Sequence, residues 1–162
     1  MKRLRFFIIG ILTGCSALEG EQKSNVNDII KTHEIRQVTK TEILVQGEKI
    51  GSQIYTVLDK VKPCDSIQLK WIIDSLSGVF NSKINLGFSI SDFNSADEQA
   101  LFEAYEYNQT NNIESETAIQ FLDQNVLFSA PFQLTDSSCK DLTNSMGMWS
   151  VLISTKTVVN SL

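Results

Sequence analysis

Positions Ile43, Gly47, Ile50, Ile54, Val57, Leu58 and Val61 recur at three- and four-residue steps. That spacing keeps them on one face of a helix. The pattern predicts a long first helix starting near Ile29 and stopped by Pro63. Ile72, Leu76, Val79 and Phe80 predict a second helix over Ser66–Phe80. The alternation Ile67-Leu69-Trp71-Ile73 within it also suits a strand. Period two returns in Ile84, Leu86, Phe88 and Ile90, interleaved with Asn85, Gly87, Ser89 and Ser91. This predicts a strand with one buried face.

Ser95-Ala96-Asp97-Glu98 is a capping box, in which the serine oxygen caps the N3 amide and the glutamate reaches back. A third helix follows from Gln99 to Glu106, broken by Asn108-Gln109-Thr110-Asn111-Asn112. Residues 117–122 and 126–134 flank Asp123-Gln124-Asn125, which predicts a hairpin. Residues 149–154 read as a last strand. Three helices with mainly antiparallel strands predict an α+β domain, its helices packed on one antiparallel sheet.

The N-terminus changes the picture. Lys2, Arg3 and Arg5 precede Phe6-Phe7-Ile8-Ile9-Gly10-Ile11-Leu12, and Thr13-Gly14-Cys15 follows. A basic start, a short apolar run and small residues at a cut site describe a secretory signal. The run is well short of the roughly 20 residues that span a bilayer. Leu12-Thr13-Gly14-Cys15 resembles the lipobox of bacterial lipoproteins, in which the new N-terminal cysteine carries a thioether-linked lipid. The expected organisation is a signal over 1–14, a lipidated Cys15 with a polar tether over 15–27, and one domain over 28–162. A tether without apolar periodicity cannot offset its own chain entropy. Ser16, in place of aspartate after the cysteine, points to the outer membrane, facing the periplasm.

The whole chain carries −5, and loss of the three signal cations takes the mature chain to −8. Such a chain, without a basic run, is unsuited to nucleic acid. Cys64 and Cys139 remain after the signal. Export permits them to bridge, and two separate buried thiols are the alternative. His33 is the single histidine and sits at the tether. Neither a Ser-His-Asp nor a Cys-His arrangement can be built on it, and zinc spacing is lacking. Asp92-Phe93-Asn94 begins like a calcium loop, but Ala96 and Asp97 occupy the positions that need an oxygen ligand and a glycine. No enzyme activity, cofactor or metal is expected from these residues.

Cys64 with Asp74-Ser75-Leu76-Ser77, the strand and loop over 83–94, the helix over 95–106, the hairpin over 117–134 and the stretch around Cys139 follow one another in order. Gly147-Met148-Trp149-Ser150-Val151 and Lys156-Thr157-Val158 close the series. Over residues 40–160 this resembles the PAS-like, covalent c-type haem sensor domain, which occurs alone in exported proteins and N-terminal to histidine kinases. The resemblance implies a PAS-like sheet and a ligand pocket against it. It also implies covalent haem through Cys-x-x-Cys-His, whose thiols bond the porphyrin and whose histidine ligates iron. Here Cys139-Lys140-Asp141-Leu142-Thr143 stands in that place. Leu142 and Thr143 replace the second thiol and the iron ligand, so haem attachment is not expected, and Cys139 looks like its remnant. Ser91-Asp92-Phe93-Asn94 replaces a basic loop of the family.

The expected protein is thus a lipid-anchored, haem-less sensor-like module of the cell envelope. It would take a small ligand or an envelope protein at a pocket including Phe88, Phe128, Phe132 and Trp149, residues that also suit plain core. The alternatives are an interaction lipoprotein without a small ligand, and a redox role for Cys139 alone.

Overall fold

A computed structural model describes residues 37–134 and 146–162. Helix α1 spans Lys40–Leu58. It starts at a capping box: Glu42 N donates to Thr39 Oγ1 at 3.2 Å, and Thr39 N donates to Glu42 Oε2 at 2.8 Å. Residues 37–39 are not helical. The long helix expected from Ile29 therefore begins at Lys40, because Thr39 takes the extended conformation of a cap. The helix also stops before Pro63. Lys60 N and Val61 N turn back to Val57 O and Leu58 O. This tightened turn folds Val61 down to a buried position outside the helix.

Gly47 and Gly51 lie on the buried face of α1. A Cβ at Gly47 would sit 2.8 Å from Val126 Cγ1, and one at Gly51 would sit 2.3 Å from Phe128 Cγ. Each glycine costs about 1 kcal/mol of helix propensity. In return, the helix backbone rests directly on the sheet.

Helix α2 spans Ser66–Phe80. Asp65 caps it, accepting from Gln68 N at 3.0 Å, and Asn81 ends it in the left-handed conformation. Its apolar side chains Leu69, Ile72, Ile73, Leu76 and Phe80 are only partly buried. Strand β1 spans Ser82–Gly87, and a 3₁₀ turn covers Ile90–Asp92. The expected strand continued through Phe88 and Ile90. It ends sooner because the Asp92 carboxylate accepts Phe88 N at 2.8 Å and Ser89 N at 2.9 Å. That side chain competes with the ladder for the backbone.

Helix α3 spans Ala96–Thr110 and carries the expected capping box at Ser95 and Glu98. It runs past Asn108, since Thr110 Oγ1 and Asn111 Nδ2 satisfy the carbonyls of Glu106 and Tyr107. Strands β2, Ala118–Leu122, and β3, Asn125–Gln133, form the expected hairpin. Its two-residue turn is opened by Asp123 at φ 44°. Strand β4 spans Met146–Ser154, three residues longer at its start than its apolar run predicted. Helix α4, Thr155–Asn160, was not expected and is capped by Ser154.

The sheet order is β1-β4-β3-β2, and every neighbouring pair is antiparallel. The α+β expectation therefore holds, with a refinement: helices cover both faces. Ile43, Ile50, Ile54 and Leu58 of α1 pack with Val126, Phe128, Trp149, Val151 and Ile153, with α2 and Val158 of α4 alongside. On the other face Leu101, Phe102 and Tyr105 of α3 pack with Phe93, Leu127, Met146 and Met148. Alternation along β3 and β4 divides the two sets. Pro131 is tolerated because β2 pairs with β3 only as far as Ser129, leaving the end of β3 as an edge on that side.

Candidate functional site

The end of β3 and the middle of β4 gather aromatic rings. Phe132 and Trp149 stand 5.9 Å apart between ring centroids, and Phe88 meets Phe132 edge-on at 5.8 Å. Both spacings are favourable for aromatic pairs. Gly147 faces Phe132 across the ladder. A Cβ there would lie 2.3 Å from Phe132 Cζ and 3.0 Å from Phe88 Cε1. The strand glycine is thus the seat on which both rings rest.

Phe132, with the 2%-exposed Trp149 behind it, lines a cleft of about 270 Å³, bounded on its other side by the α1–α2 turn from Leu58 to Pro63. Gln133 and Leu134 complete that wall. Of the four aromatic residues singled out in the sequence, two line the cleft and Phe88 buttresses it. Phe128 does not join them. It is fully buried beneath Gly51, with Tyr55 at 6.5 Å. A second cleft of about 250 Å³ opens beside Tyr105, Ile113, Pro131 and Met146.

A polar cluster that was not among the residues singled out in the sequence lies under α3. Asn85, Ser150 and Ser129 occupy one row across β1, β4 and β3. Ser150 Oγ donates to Glu98 Oε1, and Asn85 Nδ2 donates to the same oxygen at 3.1 Å. Ser95 Oγ and Ser95 N donate to Glu98 Oε2 at 2.8 and 3.3 Å. Burial alone would raise the Glu98 pKa, but the donors from Ser150, Ser95 and Asn85 outweigh it. Together they hold the carboxyl below its ordinary value. Further along α3, Tyr105 Oη lies 2.9 Å from Ser129 Oγ. Burial pushes this phenol up, partly offset by the bond to Ser129.

The cluster resembles an acid-base site in composition, but its hydroxyls are closed off. Ser150 is 1% exposed and Ser129 0%. Ser150 spends its proton on an already stabilised carboxylate, which leaves it a poor nucleophile. What the cluster does is pin α3 to the sheet. The sequence signal for it was a serine inside each apolar run, Leu127-Phe128-Ser129-Ala130 and Trp149-Ser150-Val151.

Cys64 is exposed and disulfide-bonded. Cys15, His33 and Cys139, with the rest of the 139–143 segment, lie outside the described residues. Among the described residues no group of three or more His, Cys, Asp or Glu is placed to hold a metal, and no helix is long and apolar enough to cross a membrane. The calcium-like start at Asp92 is used internally, since its carboxylate binds two backbone amides. The described residues do not fit a haem either. None of them is a histidine, and Met146 and Met148 are packed into the core beneath α3. Comparison with protein-family models, curated proteins and solved structures found no match.

Proposed function

We propose that this protein is a lipid-anchored module of the cell envelope that binds a small, flat aromatic molecule carrying polar groups against Phe132, with the buried Trp149 ring behind it. The observation that carries the binding reading is the cleft beside those two rings. Its volume of about 270 Å³ falls just below the range of ligand pockets, which begins at roughly 300 Å³, so it suits only a small molecule. Aromatic walls with a few polar groups at the mouth are the usual make-up of such sites. Here Phe132 is the aromatic wall, and Asp59, Lys60, Lys62 and Gln133 make much of the remaining lining polar. The cleft is too small for a large cofactor to be enclosed, in keeping with the missing Cys-x-x-Cys-His.

The PAS-like character of the fold belongs to the same proposal. Its support is one antiparallel sheet whose central strand carries Gly147-Met148-Trp149-Ser150-Val151. Lipidation at Cys15 is supported by the lipobox-like residues before it. With Cys15 lipidated, Cys139 is the remaining partner for the Cys64 disulfide.

Trp149 supplies the test. In a Trp71→Phe background it is the single tryptophan. Titration of the full chain with indole and naphthalene carboxylates is expected to change its emission saturably. Phe132→Ala is expected to weaken that response about tenfold or more, a loss of at least ~1.4 kcal/mol. No response from any probe, or one indifferent to Phe132→Ala, removes the cleft as a site. A Soret band after periplasmic expression with haem-attachment machinery would overturn the haem-less reading. Fatty-acid labelling abolished by Cys15→Ser tests the anchor.

A further inference from the structure

Helix α2 carries a stripe that none of the other described residues covers. Ile67 is 84% exposed and Trp71 72%. Spacings of four, three and four residues join Ile67, Trp71, Asp74 and Gly78 on one face. Those are the spacings of a helix-pairing seam, of which Ile67 and Trp71 are the apolar members. It lies opposite the half-buried face of Leu69, Ile72, Leu76 and Phe80. An exposed lone isoleucine or tryptophan is ordinary, but two bulky apolar groups one turn apart on a seam mark an interaction surface.

Gly78 is the second observation. Glycine inside a helix costs about 1 kcal/mol, and the other two helical glycines are forced by contact with the sheet. Gly78 is not: a Cβ there meets nothing within 4 Å. Nothing within the described domain requires a glycine at this position. Close approach of another chain would.

We propose that α2 is a self-association surface, pairing antiparallel with α2 of a second copy about a two-fold axis passing between residues 72 and 73. The stripe is complementary to its own reverse. In that register Ile67 faces Gly78 of the other copy, a bulky group over a small one. Trp71 faces Asp74, whose carboxylate accepts the indole N–H. Lys70, beside Trp71, lies on the flank next to the same carboxylate. Each contact occurs twice, as an isologous interface demands. Antiparallel helices also set opposite dipole ends together. A bilayer surface is the poorer occupant, because Asp74 sits in the middle of the stripe and the mature chain is acidic. The paired segment is about 22 Å long, so the interface falls in the small class. A Kd on the order of 10–100 μM is expected. This inference stands apart from the ligand cleft and survives its failure.

Sedimentation of the full chain in density-matched detergent, over a range of concentration, tests the pairing. A concentration-dependent dimer is expected. Trp71→Arg and Gly78→Leu should each weaken it tenfold or more with unchanged circular dichroism. Lys70→Glu and Asp74→Lys should each weaken it, and the double swap, which re-forms the charge pair but leaves the indole N–H without its acceptor, should restore it in part. If Trp71→Arg does not fold, the charge swaps still decide whether the pairing occurs. A chain that stays monomeric to ~500 μM overturns the proposal. So does a dimer indifferent to these variants. Binding to anionic vesicles that Trp71→Arg abolishes, without any dimer, assigns the face to the membrane instead and overturns it too.

Discussion

Glu98 shows how much one residue does beyond its local role. Its place in a capping box was readable from Ser95-Ala96-Asp97-Glu98, and the structure has that box. The same carboxylate also reaches Asn85 and Ser150 on two strands. Glu98→Ala would strip an acceptor from buried donors, a loss of about 2–3 kcal/mol in chemical denaturation. The pH dependence has a definite sign. Because the folded-state pKa lies below the ordinary 4.5, the stabilisation is fully present above that value. It is lost as pH falls through the lower folded value. Denaturation midpoints should fall as the pH drops below about 4.5 in the wild type. Glu98→Gln should flatten that slope. An unchanged slope would assign the acid sensitivity to other carboxylates, Asp92 among them.

At the scale of the element, most of the helices and strands were legible where local signals agreed. The capping box at Ser95, the Asp123-Gln124 turn and the apolar run of β4 each determine structure over a few residues. Boundaries failed where a side chain acted at short range against the period. Asp92 ended β1 by taking two amides, and Thr39 started α1 eleven residues after Ile29. Helix α4 escaped notice because six residues carry too little periodicity, and Val158 holds it through the core. The glycines test the packing of these elements. Gly51→Ala should destabilise by about 1–3 kcal/mol, since Phe128 must move. Gly78→Ala, with open space around it, should stabilise the monomer by about 0.5–1 kcal/mol. Thermal melts of the two variants should therefore shift in opposite directions.

On the scale of the whole molecule, the sheet is sandwiched between two unequal helical layers, and the clefts open at the end of β3. The Cys64 disulfide is the covalent constraint on this arrangement. Cys64→Ser should lower stability by about 2–5 kcal/mol, read as a drop in melting temperature that reductant reproduces in the wild type. No shift with either treatment would make the bridge dispensable. The acidic charge, the helical and strand periods, and the absence of a Cys-x-x-Cys-His motif around Cys139 were all determined by the sequence itself. They depend on residue chemistry or on neighbours a few positions apart. Only the tertiary structure decided that Phe132 borders a cleft while Trp149 and Phe128 are buried, that Glu98 meets Ser150, and that Trp71 is exposed. Those outcomes depend on strand order and on which face each helix covers. Such contacts join residues far apart in the chain, which no local period records.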